Sequence, residues 1–411
     1  MTDYPARSAQ VIERCRQLAR ITDVPGETTR LFLSPATREA HALLTHWMQA
    51  AGLEVRTDAI GNLRGLLPGP AADSPRLLIG SHIDTVPNAG AFDGPLGVLL
   101  GLALIEELRS SDASFSFAIE LIAFSEEEGV RFATPFLGSL ALIAQLEPDT
   151  LQRKDDDGIS LAASIRNFGL DPAELPATVA DPAAAGYFEI HIEQGPVLEH
   201  EDRSLAVVEA IAGQTRLALT FSGHANHAGT TPMGPLRRDA LAAASEWIAE
   251  VERYATSIPG LVATVGKVEV PGGAGNVIPG IVTSTLDVRD ARDQVRRAAV
   301  EHLLESAAIV CAKRRVNVAH TRTLDQPAVP MDHRLTNLLA AAVTQMTGTP
   351  ARRMPSGAGH DAMIVARRIP STMLFLRSPG GLSHHPNETV LPADVEAALA
   401  AGTAFLRSLS L

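Results

Sequence analysis

At 411 residues, with 45% hydrophobic and 20% charged residues, the chain has the composition of a globular protein long enough for two domains, not of a disordered one. Lys and Arg number 35 against 47 Asp and Glu, a formal charge of −12, and the basic stripe of a nucleic-acid binder is missing. Two cysteines, Cys15 and Cys311, exclude a disulfide framework or a cysteine zinc site; both fall in helical patterns that predict burial.

The N-terminal "MTDYPARSAQ" has no apolar signal-peptide core. The most apolar run, "GPLGVLLGLALI", stops at Glu106, too short to span a bilayer, so a cytoplasmic protein without membrane contact is expected. "SAQVIERCRQLARI" and "TREAHALLTHWMQAAG" have helical periodicity, the second with a glycine stop. Strand-like "LEVRTD", "NLRGLL" and "RLLIG" follow, then the loop "GSHIDTVPNAGAFDG" and a helix pattern, "GPLGVLLGLALIEELRS". "SFAIELIAF" reads as a strand covered on both faces and ends at "SEEEG"; "GYFEIHIEQG" is a strand that turns polar. Strands alternating with helices imply an α/β domain, whose ligands gather beyond the carboxyl ends of the strands. His82, Glu126 to Glu128 and His191 lie at such ends.

From about Gly213 the pattern changes. Strand "QTRLALTFS", helix "RRDALAAASEWIAEVERYA", strands "LVATVGKVEV" and "GIVTSTLDVR", helix "DQVRRAAVEHLLESAAIVCAKRR" and strand "VNVAHTRT" give the order β-α-β-β-α-β. That is a ferredoxin-like unit, inserted over 213–325. The basic "KRR" at Lys313 to Arg315 closes its second helix, where cations complement the helix dipole. The α/β pattern resumes with "HRLTNLLAAAVTQM", "HDAMIVARR", "STMLFLRS" and "ADVEAALAAGTAFLRSL". "DPAELPATVADPAAAG" reads as loop, and no internal repeat is visible.

Taken singly, the polar features have ordinary explanations: a loop histidine, a solvated glutamate run, a turn at "SHHP". Together, His82, Asp93, His191, a glutamate of the 126–128 run and a histidine of "SHHP" supply nitrogen and oxygen donors without a thiolate. That mix suits catalytic zinc, manganese or cobalt, and five such ligands suit two ions sharing a carboxylate. Asp84, two residues beyond His82, is placed to hydrogen-bond that ring and fix its tautomer. Arg289 can bind a carboxylate through two parallel hydrogen bonds, unless it is simply paired with Asp287 or Asp290.

In order, "GSHIDTVPNAGAFDG", "SEEEG", "HIEQGP", "GHANHAGTTPM", "NVIPG", "SGAGHDAM" and "GGLSHHPNE" resemble the dinuclear amidohydrolase branch of the M20 peptidase family. That branch holds N-carbamoyl-L-amino-acid hydrolases, allantoate amidohydrolases and β-ureidopropionases. The resemblance implies an α/β, zinc-exopeptidase-like catalytic domain with a mixed sheet over 1–212 and 326–411. The inserted ferredoxin-like α+β unit, 213–325, would be a lid and dimerisation domain.

The same resemblance implies two divalent ions per subunit (zinc, manganese or cobalt). His82 and His191 would go to different ions, Asp93 would bridge, and Glu128 and His384 would complete the sites. It makes Glu127 the general base, His227 the oxyanion stabiliser, and Gln194, Asn276, Arg289 and His360 contacts to a ureido group or carboxylate, with Gln214 and Arg216 as further contacts. It also implies a homodimer in which the partner's lid supplies the oxyanion histidine and the carboxylate-binding arginine. One departure is "NAG" at Asn88 to Gly90, where many relatives have a second glycine. The expected reaction is hydrolysis of a ureido C–N bond in a small molecule bearing a carboxylate. The alternatives are an exopeptidase or aminoacylase on the same metals, and a metal-binding scaffold, for which a base such as Glu127 has no use.

Overall fold

Side-chain caps start the first two long helices. The computed structural model describes residues 3–110 and 115–411, so Met1 and Thr2 of the polar N-terminal run lie outside the described residues. Helix Tyr4–Ala19 begins where the Asp3 carboxylate accepts from the Ala6 N–H; helix Pro35–Ala50 begins where Ser34 Oγ accepts from the Thr37 N–H, with proline in its first turn. Then come β1 (Glu54–Thr57), β2 (Leu63–Leu67), β3 (Arg76–His82), helix Pro95–Ser110, β4 (Ala118–Phe124), β5 (Ala184–Ile192) and β6 (Leu205–Ile211). Between β4 and β5 lie short helices Leu137–Leu142 and Leu161–Asn167 and a 3-10 helix, Pro172–Thr178. The last falls in the stretch expected as loop; Asp171 caps it by accepting from the Ala173 N–H.

Onward run β7 (Gly213–Ser222), β8 (Asn226–His227), helix Ala240–Thr256, β9 (Val262–Thr264), β10 (Val268–Glu269), β11 (Val277–Ile278) and β12 (Ile281–Asp290). Helix Asp293–Arg314, β13 (Asn317–Gln326) and β14 (Val329–Pro330) follow. Helix His333–Thr347, β15 (Arg352–Ser356), helix Asp361–Val365, β16 (Ser371–Leu376) and helix Pro392–Ser408 complete the chain.

The chain divides into two compact units, Met1–Glu209 with Met331–Leu411, and Ala210–Pro330. The second begins before the expected 213 and ends after 325, because Ala210 and Ile211 pair antiparallel with Pro330 and Val329. In the first unit the sheet order is β1-β2-β4-β3-β5-β16-β6, with β15 also on β6. β3 and β4, β3 and β5, and β5 and β16 are parallel; the flanking pairs are antiparallel, so the sheet is mixed. Every residue of β4 and β16 is buried, which accounts for their largely apolar sequences; Glu120, the charged exception in β4, accepts from Arg64 and Arg76. Helix Pro95–Ser110 is buried almost all round and packs on β3 and under helices Tyr4–Ala19 and Pro392–Ser408.

The second unit has the sheet order β10-β12-β7-β13, with β9 also on β12, in ferredoxin-like order. Its core lies between one sheet face (Leu217, Leu219, Phe221, Val282, Leu286, Val288) and residues of its two long helices, such as Trp247 and Leu303. The strand expected over "LVATVGKVEV" breaks at Val265–Lys267 into β9 and β10, each pairing separately with β12. Cys15 and Cys311 are free and buried inside helices. Among the described residues no helix is long and apolar enough to cross a membrane.

Candidate active site

Because β4, β3, β5 and β16 are parallel, their carboxyl ends share one edge of the sheet. His82 is the last residue of β3, His191 the penultimate residue of β5, and Ser125 to Gly129 follow β4. Ser383 and His384 lie in the segment after β16. Asp93 arrives on the loop after β3. Gly94 behind it has φ +82°, and a Cβ there would lie 2.5 Å from the His82 ring. Only glycine lets the loop turn so close.

Two donor groups share Asp93. His191 Nε2 lies 3.3 Å and His82 Nε2 3.8 Å from Asp93 Oδ1, and the two imidazole nitrogens are 3.4 Å apart. On the other carboxylate oxygen, His384 Nε2 lies 3.2 Å from Oδ2 and 3.5 Å from Glu128 Oε1. Glu127 and Glu128 also offer oxygens close to His82. The expectation that His82 and His191 go to different ions is corrected by this geometry. Both rings approach the same side of Asp93, and the opposite pair is Glu128 with His384.

The backbone sets the tautomers. His82 Nδ1 faces the Asp84 carbonyl at 3.0 Å, and His191 Nδ1 faces the Ile192 carbonyl at 3.0 Å. A carbonyl only accepts, so each Nδ1 carries a proton and each Nε2 is turned toward Asp93, where it can offer a lone pair to a cation once any proton there has left. Asp84 thus orients His82 with its carbonyl oxygen, while its carboxylate Oδ1 stands 3.4 Å from the same nitrogen. That carboxylate also accepts from the Glu127 and Glu128 N–H groups, each at 3.0 Å, fixing both glutamates.

Burial opposes charge here. It would depress the His82 ring, yet the neighbouring Asp84 and Asp93 carboxylates hold it well above its ordinary value. Burial pushes His191 down to about 4 against the pull of Asp93. It raises Glu127 well above the carboxylate range despite His82, and raises Glu128 to about 7. This donor set fits divalent cations: two imidazole lone pairs and a carboxylate oxygen on one side, carboxylate and imidazole on the other. Positive charge would let the buried carboxyls ionise.

The remaining expected residues divide between the units. Gln194 Nε2 donates to Asp93 Oδ2 at 3.0 Å and Ser383 Oγ at 3.1 Å, while its buried Oε1 has no hydrogen-bond partner among the described residues. His360 is buried, its Nε2 2.8 Å from Ser356 Oγ and its ring edge-on to His191. In the second unit, β8 pairs with β11, bringing His227 opposite Val277, next to Asn276. His227 Nδ1 accepts from the Gly229 and Thr230 N–H groups at 3.1 and 3.2 Å, so its proton sits on Nε2. Arg289 makes a two-bond fork to Asp287, which also accepts from Arg216. Gln214 stands opposite Arg289 in the ladder and donates to Gln326 Oε1.

Sequence reasoning passes over Ser383 and Glu388. Ser383 Oγ donates to Asp93 Oδ2 at 2.8 Å, and Glu388 accepts from the Asp93 N–H. Both sit in the quoted "GGLSHHPNE", but nothing in a sequence shows which backbone group a side chain meets.

Metal-dependent hydrolases are the class that this sheet edge, its donor groups and its buried carboxyl define. The chain belongs to peptidase family M20/M25/M40, whose family model matches residues 78–410. It is 39% identical to allantoate deiminase 2 of Glycine max, over 98% of this chain and 89% of that one. It is 38% identical to the N-carbamoyl-L-amino acid amidohydrolase of Geobacillus stearothermophilus, over 92% of each chain. Among solved structures, a hydantoinase/carbamoylase family amidase from Burkholderia multivorans superposes with a TM-score of 0.91 at 32% identity, covering 98% of this chain and 97% of that one.

Proposed function

We propose that the protein hydrolyses a ureido C–N bond in a small molecule that also carries a carboxylate, such as an N-carbamoyl amino acid, allantoate or ureidopropionate. The observation that carries this is the pair of donor groups sharing Asp93 beside the buried Glu127 carboxyl. Two divalent ions per subunit (zinc, manganese or cobalt) would be held by His82, His191 and Asp93, and by Asp93, Glu128 and His384. When bound, such ions acidify a water and polarise the carbonyl under attack. Glu127 takes the proton of the attacking water and returns it to the departing nitrogen. The Nε2–H of His227 donates to the oxygen on which charge develops. Gln194 Oε1 accepts from a ureido N–H, and Arg289 exchanges Asp287 for the substrate carboxylate. The second unit acts as lid and dimer contact in a cytoplasmic homodimer, in which the partner's lid supplies the histidine and arginine.

The test is ammonia release from carbamoyl amino acids, allantoate and ureidopropionate, beside peptides and N-acyl amino acids. Chelation should abolish turnover of the ureido substrates, and added divalent metal should restore it. Hydrolysis of the peptides or acyl compounds alone by metal-replete protein defeats the proposal, as does full activity in protein shown by elemental analysis to be metal-free.

A further inference from the structure

Glu388 is a buried carboxylate, 5% exposed, that none of the steps above uses. Its Oε1 accepts from the Phe92 N–H at 2.8 Å and the Asp93 N–H at 2.9 Å, across 296 and 295 residues of sequence. Its own N–H donates to the His385 carbonyl at 3.0 Å, closing a turn just after His384, which itself has φ +56°. Glu388 therefore grips the loop of one ligand with its side chain and the turn beside another with its backbone. Room for it is built in: a Cβ on Gly90 would lie 2.3 Å from Glu388 Cβ. Asp84 ties the β3 loop to Glu127 and Glu128 in the same manner, one carboxylate to two consecutive N–H groups.

We infer that Glu388 is a positioning residue for the metal centre: its carboxylate oxygen, by holding the Phe92 and Asp93 N–H groups, sets the distance between the Asp93 carboxylate and the His384 ring. The inference rests on the metal sites proposed above. What matters is an acceptor at the right reach. A carboxamide oxygen satisfies the same two N–H groups, whereas aspartate, one methylene shorter, does not reach them, and alanine offers nothing.

The experiment titrates metal-free wild type, Glu388→Gln, Glu388→Asp and Glu388→Ala with Co2+, following the visible cobalt absorption and the bound metal at equilibrium. Thermal melting of each metal-free protein reports folding. Glu388→Gln should bind within a few-fold of wild type. Glu388→Ala and Glu388→Asp should lose affinity by roughly 10–100-fold, the usual scale for residues that orient ligands. Should the alanine variant fail to fold, the Gln and Asp variants decide. Wild-type affinity in a folded Ala or Asp variant overturns the inference, and so does a Gln variant as weak as the Asp variant. If wild type itself binds no Co2+, the metal sites fail instead, and the two failures are told apart without measuring turnover.

Discussion

Two histidines with opposite protons show how far the residue scale carries the chemistry. His191 keeps its proton on Nδ1 for a carbonyl and offers a lone pair; His227 takes two N–H groups at Nδ1 and offers a proton. A lone pair suits a cation, and an N–H suits an oxyanion. His227→Ala should therefore lower kcat by roughly 10²–10³, as for loss of one oxyanion donor, with bound metal unchanged. The neighbouring glutamates separate in the same way. Glu127→Gln should keep its metal and lose two to four orders of magnitude or so in kcat, whereas Glu128→Gln should lose metal. If Glu126→Gln has the larger kcat loss with metal retained, Glu127 is not the base. The sequence alone leaves all three glutamates open, since each follows the same apolar strand. Only the resemblance orders them, because the side chains that meet them come from elsewhere in the chain.

At the scale of elements, the edge was legible because largely apolar runs mark strands covered on both faces, and clusters of polar residues begin where those strands end. β6 was not legible. Its apolar "LAVV" is only four residues long and ends in the exposed Glu209. Helices Leu137–Leu142 and Leu161–Asn167 are likewise too short to show a period. Periodicity is silent on loops too, yet the loop after β3 depends on one backbone angle. Gly94→Ala should cost about 1–2 kcal/mol for a left-handed backbone before the His82 ring moves. Urea denaturation should show that loss, and Co2+ titration a weakened site. A variant with unchanged stability and metal affinity removes the claim that this turn sets the site.

For the whole molecule, acid stability has a named contributor far from the ligands in sequence. Burial, then Arg30 and Arg38, hold the His41 ring at about 4 against an ordinary 6.5. Above pH 6.5 the ring is neutral whether folded or unfolded. Between 6.5 and about 4 only the unfolded chain takes the proton, so stability falls with pH, by about 3 kcal/mol at most. Below that both forms are charged and the loss is complete. His41→Gln should flatten this part of the pH dependence in urea titrations; an unchanged slope between pH 7 and 4 means the ring is not responsible. The proposed dimer makes its own prediction. Glu127→Gln and Arg289→Ala dimers should each be nearly inactive, yet after subunit exchange regain roughly a quarter of wild-type activity. About half the dimers are then mixed, each with one intact site. If each lid serves its own subunit, verified exchange restores nothing.

The place of β16 beside β5 has a consequence for synthesis on the ribosome. β5 can zip onto β3 as soon as it emerges, but its other edge must wait for β16 while the entire second unit is translated. During that interval four donor residues, His82, Asp93, Glu128 and His191, are already in the nascent chain. The open strand beside them is the kind of surface that recruits a neighbouring polypeptide. Final closure of the sheet and arrival of His384 then come together, within one short C-terminal stretch. A chain stalled before Ser371 would be a sticky intermediate, and the finished chain would gain a paired strand and the last of the proposed donor residues in the same step.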